Sequence, residues 1–222
     1  MARLKRAYSV DEVLNMNIPS YDFTGQWKAA IGNPARSGTW IVWGESGNGK
    51  SSFVMQLVKY LCGFGKVIYD SLEEGTSLSF QKSLQRHGML EARRRLTILD
   101  REPIDQLRER LDRRKSAAIV VIDSLQYSGL NFRGYQRLKE SYPGKLFIFI
   151  SHADGDKPKG AFAERVEYDS DVKIMVSCFK ASCKSRFREG AEWETITVWK
   201  EGAVKVLLDD GQNEKPAEEP AV

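Results

Sequence analysis

No apolar run in this sequence approaches the twenty or so residues that a membrane-spanning helix needs. The longest, residues 117–122 and 146–150, have the length of single buried strands, so no membrane crossing is expected. The first six residues are charged and are followed by Ser9, Asp11 and Glu12, where a secretory leader would place an apolar stretch; a cytoplasmic location is the expectation. Cysteine is scarce as well: Cys62, Cys178 and Cys183 are odd in number and lack paired spacings, which speaks against a disulfide framework and a zinc cluster. No strong charge of one sign is present either. Thirty-four basic residues against thirty acidic ones give a formal charge of +4, which permits a nucleic-acid partner without identifying one. Internal repeats are absent, and so is any Asn-Lys-x-Asp or Thr-Lys-x-Asp segment of the kind that reads guanine.

What is present is an ordinary globular composition, 41% hydrophobic and 29% charged, in a chain long enough for one substantial core. Short β-branched runs at 40–43, 66–70, 118–123 and 146–151, with a weaker one at 96–100, read as buried parallel strands. Helix-like segments at 51–61, 78–95 and 104–115 lie between them, the alternation of a wound α/β sheet. Beyond residue 171, runs at 172–176, 194–199 and 204–208 leave little room for helices and predict an antiparallel extension of the sheet. The expected organisation is a single α/β domain over 1–210, its first 31 residues a lead-in, then a Pro- and Glu-rich tail over 211–222 with almost nothing to bury. Trp27, Trp40, Trp43, Trp193 and Trp199 are expected to pack in the core or on sheet faces, and the arginine-rich stretch 93–115 to form a solvated face.

The sharpest motif is Gly44-Glu45-Ser46-Gly47-Asn48-Gly49-Lys50-Ser51, followed by Ser52, which fits G-x-x-x-x-G-K-[ST]. Its glycines let backbone amides curl around phosphate oxygens, Lys50 reaches the β- and γ-phosphates, and Ser51 offers a hydroxyl to Mg2+. The motif leaves an apolar strand and enters a helix whose positive end faces the anion, the setting that this chemistry requires. ATP with Mg2+ is therefore the expected ligand. The strand at 118–123 ends in Asp123, which would emerge at the carboxyl edge of the sheet as the second Mg2+ ligand. Many ATPases place the water-activating base directly after this aspartate, yet that position is Ser124, so the base must come from elsewhere. Ser71-Leu72-Glu73-Glu74, at the end of the neighbouring strand, supplies carboxylates within reach.

Taken in order, Ser37-Gly38-Thr39, the phosphate loop, Ser71 to Glu74 and Ile122-Asp123-Ser124 resemble the RecA-like ATPases, chiefly the RadA branch, with similarity to DnaB-type helicases and KaiC. The resemblance implies a RecA-like P-loop NTPase fold and puts the catalytic glutamate on Glu73, with Glu74 one residue away as the alternative. It makes His152, at the end of the strand 146–151, a γ-phosphate sensor. Lys184-Ser185-Arg186-Phe187 resembles the Lys-x-Arg finger that reaches a neighbouring subunit's triphosphate, although Arg188 stands where the RadA motif has glycine. Such a finger implies a homo-oligomeric ring or filament. Residues 153–165 correspond to a flexible loop that holds single-stranded DNA, with Lys157, Lys159, Phe162 and Arg165 as candidate contacts, against the plainer reading of a surface loop. The implied function is ATP hydrolysis coupled to single-stranded DNA recombination or repair. The rivals are a KaiC-like nucleotide-dependent regulator without DNA and, less favoured, a small-molecule kinase.

Overall fold

The computed structural model describes residues 6–190 and 192–204. β-Branched and aromatic side chains, which fit a pleated buried surface, dominate the central strands: β1 (Gly38–Gly44), β2 (Val67–Ser71), β3 (Leu96–Asp100), β4 (Ile119–Asp123) and β5 (Leu146–Asp154). These five strands run parallel in the order β3-β2-β4-β5-β1. A short strand β6 (Lys157–Pro158) folds back on the end of β5. β7 (Val172–Ser177) then joins β1 in parallel, and β8 (Lys180–Ser185) and β9 (Glu194–Thr197) extend the sheet antiparallel.

Because successive strand residues point to opposite faces, each strand feeds two cores. Trp40, Val42, Tyr69, Val121 and Ile148 pack on one face with Val54, Leu57 and Leu61 of α3 (Lys50–Leu61). Trp27 of α2 (Gly25–Ile31), which follows the short, exposed α1 (Val10–Leu14), and Phe80 of α4 (Leu78–Arg86) complete that layer. Ile41, Trp43, Val120, Ile122 and Phe149 pack on the other face. There they meet Leu107 and Leu111 of α5 (Ile104–Leu111), Tyr135 and Leu138 of α6 (Phe132–Ser141) and Val166 of α7 (Ala161–Asp169). Val120 and Ile122 have no exposed surface. Each such side chain contributes about 1.5–3 kcal/mol, and a charge at either position would strand an unpaired ion between sheet and helices.

Several expectations need correction. The helix predicted over 78–95 stops at Arg86, because the chain turns at Gly88 (φ 60°) into a 3-10 turn at Met89–Ala92. The one predicted over 104–115 stops at Leu111, and Lys115 is left-handed (φ 62°). Residues 200–204 are helical, contrary to the strand predicted over 204–208; the rest of that strand and the tail 211–222 lie outside the described residues. The flexible loop expected over 153–165 is folded: β5 runs on to Asp154, turns at Gly155 (φ 58°) into β6, and α7 starts at Ala161. Trp27, Trp40 and Trp43 are buried as expected, whereas Trp193 and Trp199 remain 44% and 47% exposed. Cys62, Cys178 and Cys183 are all free thiols. Among the described residues no helix is long and apolar enough to cross a membrane.

Candidate active site

The loop from Gly44 to Lys50 joins the buried strand β1 to the amino end of α3, so the sheet fixes its position and the helix its direction. Gly47 and Gly49 have φ values of 82° and 90°, a region costly to any residue with a Cβ. At Gly49 there is a second constraint, since a Cβ would lie 2.8 Å from Cδ1 of Phe179. Phe179 belongs to the β7–β8 turn, which is clamped to the loop. The Phe179 amide donates to the Asn48 carbonyl (3.1 Å), and the Cys178 amide donates to Asn48 Oδ1 (3.0 Å).

A cavity of about 570 Å³ opens over this loop. Glu45, Ser46, Gly47, Gly49, Lys50, Ser51 and Ser52 line one side, and Glu73, Glu74, Asp123 and His152 face them. Gly44 and Asn48 do not line it: Gly44 lies close under Val176, and Asn48 is spent on the hairpin turn. Lys50 Nζ donates to the Ser151 carbonyl at 3.3 Å. Burial pulls the Lys50 ammonium below its ordinary pKa, and the Asp123 and Glu73 carboxylates oppose that pull. Asp123 is pushed up to about 6, first by burial and then by Glu73, against the hydrogen bond from Tyr69 and the charge of Lys50. The Tyr69 hydroxyl donates to Asp123 Oδ2. Asp123 and Ser51 are hard oxygen donors on one cavity, the donor type that Mg2+ takes while keeping several waters.

Glu73 is held at the mouth of β4. Its amide and that of Leu72 both donate to the Asp123 carbonyl, at 3.0 and 2.7 Å, which latches the end of β2 to the end of β4. Its Oε2 accepts from Ser124 Oγ at 3.1 Å and lies 2.8 Å from His152 Nε2. The neighbouring Glu74 is turned to the start of α4, where its Oε2 accepts from Ser79 Oγ at 2.8 Å. His152 is positioned through its amide, which donates to Gln126 Oε1 (3.3 Å), and its ring meets Tyr127 edge-on at 6.1 Å. The imidazole reserved by sequence for a phosphate thus touches the glutamate instead.

The remaining predicted residues lie elsewhere. Arg186 is tied to Asp171 by a 3.1 Å ion pair and a backbone bond, and the Asp171 amide in turn donates to the Thr39 carbonyl at the start of β1. With Lys184 paired to Lys173, both cations sit at the end of β1 opposite its phosphate loop. At about 3.3 Å per residue, the length of β1 from Thr39 to Gly44 separates them from that loop by on the order of 15 Å. Lys157 is exposed on β6, while Lys159 lines the phosphate cavity. Phe162 is half-buried against Tyr135 (6.4 Å between ring centres) rather than a free stacking platform, and the Arg165 guanidinium lies 3.9 Å over the Phe132 ring. Sequence reasoning missed Tyr69, Ser124, Lys159 and Phe179. Of these, Ser124 had a signal, its place directly after Asp123.

No family model matches the sequence, and no curated protein matches it. Solved structures do. The ATPase domain of a DnaB helicase superposes with a TM-score of 0.52 over 76% of this chain and 83% of its own, at 13% identity. A KaiC-like protein, PH0186, from the hyperthermophilic archaeon Pyrococcus horikoshii OT3 superposes with a TM-score of 0.54 over 81% of this chain and 94% of its own, at 17% identity. The parallel order β3-β2-β4-β5-β1, the phosphate loop after β1 and the antiparallel strands at the end give this chain the RecA-like P-loop NTPase fold.

Proposed function

We propose that this protein binds ATP with Mg2+ on the loop Gly44–Ser51 and hydrolyses it with Glu73 as the residue that orients and deprotonates water. The observation that carries the reading is one carboxylate, Glu73, fixed by Ser124 and His152 in the same cavity as Lys50, Ser51 and Asp123. Lys50 and the loop amides neutralise the phosphate charge. Mg2+ held by Ser51 and Asp123 would bridge and neutralise phosphate oxygens. Glu73 accepts the proton of the attacking water, the γ-phosphorus gains that oxygen, and the bond to the ADP oxygen breaks. His152 holds the Glu73 carboxylate from the other side of the cavity and acts as the sensor through it.

Lys184 and Arg186 act on a neighbouring copy. Their place at the far end of β1 denies them their own loop, and a guanidinium aimed at a transferring phosphoryl group raises turnover by about three to five powers of ten. A ring or filament of identical chains follows from this reading. We assign the chain to the RadA branch in activity, with turnover coupled to single-stranded DNA; Lys157, Lys159 and Arg165, cations close to the catalytic cavity, support that coupling.

Phosphate release from Mg-ATP, measured with and without single-stranded DNA, tests the proposal. Hydrolysis that rises with the strand and disappears in Lys50→Ala is expected. No release under either condition would remove the enzymatic reading, and release indifferent to DNA would favour the KaiC-like regulator.

A further inference from the structure

A second groove, of about 670 Å³, lies behind the catalytic carboxylates, between the β3–α5 turn and the start of α6. Three arginines, Arg101, Arg108 and Arg137, line it against one acid, Asp105. Among the described residues, neither Arg108 nor Arg137 has an ion pair or a side-chain hydrogen bond, although both face the same hollow. Tyr127, 55% exposed, forms part of the wall. Its floor is apolar, from Leu72 and Leu138. Converging guanidiniums beside an accessible aromatic ring suit a ligand that carries a phosphate next to a planar base.

The groove is wired to the active site twice. Arg101 has a left-handed backbone (φ 50°), a conformation unfavourable for a side chain of its size. It is held there by the loop that carries the catalytic glutamate. Its amide donates to the Ser71 carbonyl (3.3 Å), and its Nη2 donates to the carbonyls of Glu73 (3.3 Å) and Glu74 (2.7 Å). Any Cβ on Gly75 would fall 2.2 Å from Arg101 Nη1, so the side chain lies flat on that loop. The second link is Tyr127, whose ring packs edge-on against His152, itself 2.8 Å from Glu73. A phosphate entering the groove competes with the two carbonyls for Arg101 and displaces or stacks on Tyr127. Either event moves a partner of Glu73.

We propose that this groove is an effector site for a nucleoside phosphate, free or within a single strand, and that Arg101 and Tyr127 transmit its occupancy to Glu73. The coupling half rests on the hydrolytic role given to Glu73 above; the binding half does not. Binding is read on the full chain carrying Lys50→Ala, which disables the phosphate loop, by anisotropy of a labelled oligo-dT of about 12 nucleotides, with calorimetry of dTMP alongside. Arg108→Ala/Arg137→Ala is expected to weaken the oligonucleotide at least about tenfold, and the charge-reversed pair Arg108→Glu/Arg137→Glu to abolish it, each with an unchanged melting temperature. Oligonucleotide binding without dTMP binding identifies a strand; equal binding per site identifies the free nucleotide. Wild-type affinity in both double variants overturns the site. For the coupling, saturating oligonucleotide should change wild-type turnover at least about threefold and leave that of Arg101→Ala unmoved; an equal response in Arg101→Ala refutes the transmission. A chain that binds through these arginines yet releases no phosphate with any ligand sinks the hydrolytic reading and leaves the effector site standing.

Discussion

The two ends of the parallel sheet differ in kind. At the carboxyl end, Glu73, Glu74 and Asp123 surround a single ammonium, Lys50, and the backbone is shaped by glycines to receive an anion. At the opposite end, Lys184 and Arg186 stand exposed beside the start of β1, with Asp171 as the only carboxylate bonded to either among the described residues. The first end has what is needed to hold a nucleotide and activate water. The second has cations that a transferring phosphoryl group needs and no place for the nucleotide itself. The difference teaches that one copy carries two incomplete halves, and that joining the carboxyl end of one copy to the opposite end of another completes a site.

The comparison breaks most easily at Arg186. If its guanidinium serves a neighbour's phosphate, Arg186→Ala should lower turnover by about three to five powers of ten while leaving ATP affinity within a few-fold. Mixing it with a Glu73-disabled chain should restore part of the rate, because some interfaces then pair two intact halves. Steady-state phosphate release from the mixture checks this; a mixture no faster than either component would place both residues in one copy's site. Next in size is Gly49→Ala. The added methyl meets both the positive φ and Phe179, so nucleotide affinity should fall about tenfold to a hundredfold, for a cost of roughly 1–3 kcal/mol. Calorimetry with Mg-ATP measures it, and Phe179→Ala in the same chain should recover only the steric part.

The smallest expected effect concerns stability, and contrasts Asp70 with Asp123. Both carboxyls are pushed up to about 6, chiefly by burial, but Asp123 faces the cavity whereas Asp70 is sealed under the Glu102 amide, with Oδ2 lacking a partner. For Asp70 the sign is clear. Its folded pKa lies above the ordinary 3.8, so the folded chain binds a proton that the unfolded chain has already released between those values. Stability present below pH 4 is therefore lost as pH rises through about 6, by at most about 3 kcal/mol. Asp70→Asn keeps the acceptor for Glu102 and removes the charge, and should raise stability at pH 7.5 by about 1–3 kcal/mol and flatten its dependence between pH 4 and 6. Chemical denaturation across that range is the check, and an unchanged slope would contradict it.

Much of the carboxyl end was legible in the sequence, and the reasons are physical. Phosphate binding by backbone amides demands glycines at fixed spacing, and buried parallel strands demand unbroken β-branched runs, so the loop, Asp123 and five strands could be placed from residue types alone. Glu73 over Glu74 was a matter of register, and the structure separates them by giving Glu74 to Ser77 and Ser79. The β7–β8 hairpin was not legible. Its turn is made by Cys178 and Phe179 at φ 49° and 57°, where Gly or Asn would have announced it, and β8 is too polar and short to read as a strand. Helix α7 was hidden for a related reason. Pro158 and Gly160 look like loop residues, yet Gly160 is the cap from which the helix starts. The groove at Arg101 depends on three segments far apart in the chain, and no local pattern marks it.

The central claim is that Glu73 activates water on a nucleotide that Lys50 holds. Glu73→Gln keeps the size and hydrogen-bonding reach of the side chain but cannot take the proton. Single-turnover phosphate release from this variant, with ATP affinity measured on the same sample, should show a rate about a hundredfold to ten-thousandfold below wild type and an affinity within a few-fold of it. Wild-type release from Glu73→Gln would contradict the account.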